Sequence, residues 1–169
     1  MMKYLRERLK IKEYLYPYPE KINPALYSLV DGLEDDLEKY PNVHAKMTKW
    51  NLKGSEVILL LQWVKSLINR DFTTDICECK SVWGVMYNEG DYIGKHNHVS
   101  SYSFSYYVNV PKGSSPLIFS TSGHRVKPEV GKLVLFESRL DHYVPPNKGK
   151  QRCIISGNFV STVMLRKDL

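Results

Sequence analysis

From Ile76 onward the chain breaks into short runs of β-type residues separated by Gly, Pro and Asn. The runs are CECKSVWGVMY, DYIGKHNHV, SYSFSYYVNV, SPLIFS, GKLVLF, HYVPP and RCIISGNFVSTVM. Many short strands following a helical half can bury their apolar faces in few ways. A mainly β fold with N-terminal helices, a helix-backed β-sandwich, is the arrangement this order predicts.

The N-terminal half supplies the backing. Tyr14, Tyr16 and Tyr18 alternate, and Pro17 and Pro19 exclude helix, so the end of the first twenty residues reads as an extended arm. A helix is predicted over residues 22–40, with Asn23 as N-cap and Pro24 at the first helical position. Leu26, Val30, Leu33 and Leu37 form its apolar stripe, and Pro41 stops it. A second helix is predicted from Ser55, its cap, to Asn69, with Val57, Leu60, Leu61, Val64, Leu67 and Ile68 at helical period. Neither stretch carries clustered His, Cys or paired carboxylates with an evident chemical role, so covering one face of a sheet is their expected role.

The 169 residues, 43% hydrophobic and 25% charged, suffice for one buried core. One domain over 1–169 is expected, with the arm and supporting helices in 1–75 and the β core in 76–169. No apolar run approaches the roughly 20 residues of a membrane helix, and the charged start, Met1 to Lys12, lacks a signal peptide's apolar stretch. A cytoplasmic location with no membrane contact is expected. Cys77, Cys79 and Cys153 are an odd number for a disulfide framework, and residues two apart on a strand do not easily bridge, so reduced thiols are expected. The net charge of +6 comes from scattered Lys and Arg, which reads as a solvated surface and leaves nucleic acid open as a partner.

The chemistry sits in the β half. His96 and His98 alternate around Asn97, so on a strand both imidazoles would project from one face. Two neutral imidazoles make poor core filling, because each needs hydrogen-bond partners, but a good ligand pair for a borderline metal. The buried-type strand GKLVLF is followed by a polar turn and Asp141-His142, which places a third imidazole where it can close a triad. Arg152 stands before Ile154 and Ile155, and a guanidinium in an apolar strand is costly to bury unless an anion neutralises it. A bidentate contact with a carboxylate would satisfy it. Taken singly, His142 also reads as a loop histidine and Arg152 as a solvent-facing edge residue.

Together these positions resemble the 2-oxoglutarate/Fe(II) oxygenases, especially the prolyl-hydroxylase-like branch. That pattern is Y-x-x-G, H-x-D, a distal H, and R or K about ten residues later. Here Tyr87-Asn-Glu-Gly90 leads to His96, and His142 leads to Arg152. Tyr106-Tyr107-Val108-Asn109 is similar to the strand after H-x-D, and the form H-x-H followed by S-x-x-Y-Y resembles small oxygenases of phages and marine bacteria. The resemblance covers residues 76–160 and implies a double-stranded β-helix (jelly-roll) core. It implies Fe(II) held by His96 and His142, and Arg152 paired with the distal carboxylate of 2-oxoglutarate. Tyr87 and Tyr107 would hydrogen-bond the same carboxylate or, alternatively, pack as core aromatics. It further implies O2 as oxidant, ascorbate as a stimulant, hydroxylation of a C–H bond, and a protein side chain such as proline favoured over nucleic acid as substrate. For a phage-encoded member the compartment would be the host cytoplasm.

The departure is His98, which stands where the family has aspartate. A neutral third ligand leaves the site one unit more positive than a two-His-one-carboxylate triad. His98 is the expected ligand, with Glu137 or Asp141 as the alternative source of an anion. Trp83, Tyr92, Asn97, Ser103 and Asn158 are candidate residues of the pocket rim.

Three other readings compete. A cupin-type metal protein fits Gly90 to His98, but the glutamate expected after His98 is replaced by Tyr102 and Ser103, and Arg152 has no purpose in it. A structural zinc module would use Cys77, Cys79, His96 and His98, yet zinc cysteines usually sit on a turn two to four residues apart. A scaffold or nucleic-acid-binding protein would keep the pocket only as a vestige.

Overall fold

The computed structural model describes residues 10–162. The first nine residues of the charged N-terminus and the end of the last β run, residues 163–169, lie outside the described residues.

The extended arm is a strand, β1 (Ile11–Leu15), and helix α1 (Pro19–Gly32) follows. This corrects the expected start. Pro19, not Pro24, opens the helix after Tyr18, because its fixed φ suits the first turn, and Pro24 is accommodated inside. Asn23 does not cap. It is buried, donates to the Val108 carbonyl at 2.8 Å and accepts from the Tyr106 hydroxyl at 2.7 Å. The helix ends at Gly32, well short of Pro41, so Leu33 and Leu37 are exposed and only Leu26 and Val30 of the expected stripe are buried. Two short strands, β2 (Val43–His44) and β3 (Lys46–Met47), occupy the stretch before helix α2 (Ser55–Asp71). The second helix buries Val57, Leu60, Val64, Leu67 and Ile68 and half-buries Leu61, as its period demands. Gly54 rather than Ser55 stands at its cap, and the Ser55 hydroxyl bonds Glu56 instead.

The β half runs β4 (Cys77–Tyr87), β5 (Tyr92–His96), β6 (Tyr102–Asn109), β7 (Leu117–Phe119), β8 (Arg125–Val126), β9 (Lys132–Glu137), β10 (His142–Val144) and β11 (Arg152–Ser161). Six strands form one sheet in the order β1-β9-β6-β11-β4-β3, and five form a second in the order β2-β5-β10-β7-β8. Among the named strands every pairing is antiparallel.

Strand alternation sorts the core in two. Met86, Phe104, Tyr106, Leu133, Leu135 and Ile155 face the helices and pack with Leu26, Val30, Leu60 and Val64. Their neighbours one position along, Val85, Tyr87, Tyr107, Val134, Phe136 and Ile154, face the second sheet and pack with Ile93, Leu117, Phe119 and Val144. Each fully buried leucine or isoleucine here contributes about 1.5–3 kcal/mol over an exposed one. Gly84 marks the tightest approach of helix to sheet: a Cβ there would lie 2.3 Å from a Val30 methyl. No helix among the described residues is long and apolar enough to cross a membrane.

Candidate metal centre

The site lies between the two sheets. His96 and His142 are direct partners across the β5–β10 pair. A step of two residues on β10, from His142 to Val144, matches three on β5, from His96 to Ile93. Simple alternation would send Ile93 and His96 to opposite faces. The extra residue of this bulge turns both inward, and both line the same cavity.

His98 arrives by another route. Strand β5 ends at His96, so the two histidines do not share a strand face as their spacing alone suggested. The His98 amide donates to the Ser138 carbonyl at 2.9 Å, which ties the turn to the end of β9. Behind it runs a row of buried polar side chains. Ser138 and Ser103 hydroxyls are 2.7 Å apart, Ser103 donates to Asn158 Oδ1 at 2.7 Å, and Asn158 Nδ2 donates to the Ser81 hydroxyl at 3.1 Å. Since the Ser103 proton goes to Asn158, Ser138 is the donor to Ser103.

The three rings converge. Centroids are 4.4 Å apart for His96 and His142, 5.0 Å for His96 and His98, and 5.2 Å for His98 and His142. Their available ligand nitrogens lie within 4.8 Å of one another. An ion bonded to all three at the usual ~2.1 Å would draw them somewhat closer. His96 Nδ1 sits 2.8 Å from the Gly94 carbonyl and His142 Nδ1 2.7 Å from the Leu140 carbonyl. Those contacts require Nδ1–H, so each ring presents a bare Nε2, the tautomer a metal ligand needs. Burial lowers all three basicities, the neighbouring rings add to it at His98 and His142, and the values fall to about 4 at His98 and about 3 at His142. The imidazoles are therefore neutral at pH 7.

No carboxylate or cysteine joins this cluster among the described residues. Asp141 accepts from Asn97 at 2.7 Å and Glu137 from Arg139 at 3.0 Å, so both alternative anions are engaged elsewhere. Cys77 is buried on the helix side, Cys79 is exposed, and both are free thiols, as is Cys153.

Beside the cluster opens a small cavity lined by Tyr87, Ile93, His96, Ser105, Tyr107, Leu117, His142, Val144, Arg152 and Ile154. Arg152 is paired with Tyr87 between β11 and β4 and is 1% exposed. Its guanidinium carbon lies 4.2 Å from the Tyr87 ring centre and 5.4 Å from that of Tyr107. Arg152 Nε and Nη1 and both tyrosine hydroxyls are buried with no hydrogen-bond partner among the described residues. A buried cation flanked by unsatisfied donors is unstable alone and fits a carboxylate placed in the cavity. His96 and His142 line the same cavity and His98 completes their cluster, and three neutral nitrogens suit a divalent metal.

The rim residues divide. Trp83 lies 5.8 Å from His98, centre to centre, while Ser103 and Asn158 are held in the polar row. Tyr92 instead stacks on His44 at 4.2 Å, at the outer edge of the second sheet, and Asn97 is exposed. Ser105, Ile93, Leu117 and Val144 also line the cavity, as does Ile154, which shares the parity of Arg152 along β11.

No family model matches the chain, and no curated protein matches it by sequence. Solved structures do. A viral collagen prolyl hydroxylase from Paramecium Bursaria Chlorella virus-1, in complex with 2-oxoglutarate, superposes with a TM-score of 0.71 at 14% identity, over 88% of this chain and 94% of that one. A Pseudomonas putida prolyl-4-hydroxylase gives 0.71 at 19%, over 90% and 93%. The non-heme alpha ketoglutarate dependent epimerase SnoN from nogalamycin biosynthesis gives 0.74 at 10%, over 91% and 77%. Two antiparallel sheets, two backing helices and these likenesses together establish that the chain has the double-stranded β-helix fold of the 2-oxoglutarate/Fe(II) oxygenases.

Proposed function

We propose that the chain is an Fe(II)- and 2-oxoglutarate-dependent dioxygenase that hydroxylates a C–H bond, with a prolyl residue of a peptide as the favoured substrate class. The observation that carries this reading is Arg152, a buried guanidinium with unpaired donors, lining the same cavity as His96 and His142 of the three-histidine cluster. His96, His98 and His142 would hold the iron. Arg152, Tyr87 and Tyr107 would hold the far carboxylate of 2-oxoglutarate. When bound, iron and cosubstrate supply the oxidative decarboxylation by O2 to succinate and CO2 that drives hydroxylation.

The chain's own residues orient and exclude. The Gly94 and Leu140 carbonyls hold the protons of His96 and His142 at Nδ1, which keeps the ligand nitrogens free. Arg152 neutralises a carboxylate in a site where Ile93, Leu117, Val144 and Ile154 keep water out. Its role is binding, not bond-breaking. The prolyl preference rests on the two prolyl hydroxylases among the structural neighbours, whereas an epimerase shares the fold. The test is succinate formation from 2-oxoglutarate with Fe(II) and ascorbate, with and without a prolyl peptide, for the wild type and His142→Ala. Peptide-stimulated succinate that His142→Ala abolishes is expected; turnover indifferent to 2-oxoglutarate would favour cupin-type chemistry.

A further inference from the structure

The cavity with Arg152 lies to one side of the histidine cluster, and a row of aromatic rings leaves it on the other. Trp83 and Tyr87 share the inner face of β4 four residues apart, so Trp83 sits about 13 Å outward from the Arg152 end. His98 packs against Trp83. Trp50 stacks on Trp83 with centres 5.4 Å apart and planes 26° apart, and Tyr40 leans on Trp50 at 5.5 Å and 51°. The row is held by the backbone: the segment after β3 continues along the edge of β4, with Val82 N donating to the Trp50 carbonyl and Leu52 N to the Val82 carbonyl, both at 3.0 Å. Burial falls outward. Trp83 is buried, Trp50 is 37% exposed and Tyr40 61%.

We infer that Tyr40 and Trp50 form a second substrate subsite, an open aromatic wedge that docks a proline three residues away from the one presented to the histidine cluster. This deepens the proposed function and rests on it for the reaction, though not for the docking itself. Spacing is the argument. Two centroid steps of 5.8 and 5.4 Å put Trp50 no more than ~11 Å from His98. A polyproline II segment has three residues per turn and rises ~3.1 Å per residue, so residues i and i+3 share a face ~9 Å apart. That stiff helix loses little entropy on binding, and aromatic-lined grooves are its usual receptors.

Charge decides against the other polymer that stacks on aromatics. A single-stranded nucleic acid needs a basic groove along its phosphates. The chain on either side of the wedge has no such excess: from residue 31 to residue 53 the carboxylates Asp31, Glu34, Asp35, Asp36 and Glu38 offset Lys39, Lys46, Lys49 and Lys53, and Lys39 is paired with Asp35.

The experiment titrates labelled peptides into the full chain loaded with Co(II) and 2-oxoglutarate, followed by fluorescence anisotropy. The probes are a blocked Ala-Pro-Ala-Ala-Pro-Ala, its sibling Ala-Pro-Ala-Pro-Ala-Ala, and an eight-nucleotide oligothymidylate. The three-apart peptide is expected to bind more tightly than its sibling. Tyr40→Ala, an exposed position that leaves the fold intact, and Trp50→Ala are each expected to weaken it about tenfold, while Trp50→Phe retains most of the affinity. Equal binding of the two peptides, affinity unchanged in both alanine variants, no peptide binding, or oligothymidylate binding that depends on Trp50 would each overturn the subsite. Succinate assays on the same preparations separate this from the reaction itself: wedge-dependent binding without turnover leaves the subsite standing and sinks the dioxygenase reading.

Discussion

His96 and His142 face each other directly across the β5–β10 pair, and each holds its Nδ1 against the carbonyl of the residue two positions before it, Gly94 and Leu140. The two rings are thus oriented by the same local device on two strands. Both are locked by backbone, and as directly opposite partners of an antiparallel pair they project from the same face, while the bulge turns Ile93 inward beside them.

Proton linkage follows from this burial. In the metal-free protein His142 is held down to about 3 from its ordinary 6.5, chiefly by desolvation. A folded value below the unfolded one means the unfolded chain binds the proton more readily, so stability is full above pH 6.5 and falls as the pH drops toward 3. His142 alone should cost about 1.4 kcal/mol per pH unit across that window. Urea midpoints of metal-free protein between pH 7 and pH 4 measure it, and His142→Leu is expected to flatten the slope by about that amount. An unchanged slope would mean the ring is already solvated in the folded state.

Arg152 sets stability against binding. Exchanging it for methionine, similar in length and uncharged, removes a buried cation whose Nε and Nη1 lack partners. Replacing buried charge by apolar volume often stabilises by about 1–4 kcal/mol. Ligand-free Arg152→Met should therefore melt at or above the wild-type temperature, while 2-oxoglutarate with Co(II) raises the melting point of the wild type alone. In turnover, Arg152→Ala should raise the cosubstrate KM much more than it lowers iron occupancy. A strongly destabilised Arg152→Met would point to a structural role for the guanidinium.

Helix α1 is fixed to the sheet through Gly84. Gly84→Ala would push a Cβ to 2.3 Å from Val30, which is fully buried. Overpacking of this kind costs about 1–3 kcal/mol. Val30→Ala in the same chain should recover part of the loss, a coupling that a double-mutant cycle reads directly. Additive losses would place the helix farther from β4.

Much of this architecture was legible in the residues. The run CECKSVWGVMY is strand β4 from end to end, and the second helix follows its apolar period. His96, His142 and Arg152, which the family resemblance joined, stand at the ends of β5, β10 and β11 and line one cavity. What escaped reading has physical causes. Pro24 mimics a helix start, but Pro19 also does, and tertiary contacts of Asn23 with Tyr106 and Val108 decided between them. Strands β2, β3 and β8 are two residues long, too short for any period. The bulge beside Gly94 leaves no pattern a sequence can show, and Trp50 reaches Trp83 only because a distant segment hugs the edge of β4.

The central claim is that one anion bridges the histidine-held metal and Arg152. Isothermal titration of 2-oxoglutarate into the full chain, metal-free and loaded with Co(II) in place of Fe(II), tests it most directly, with Arg152→Met in parallel. One cosubstrate per chain, bound only with metal present and lost or weakened at least tenfold in Arg152→Met, is the expected result. Binding that ignores Arg152, or no binding by the Co(II)-loaded wild type, would contradict the account.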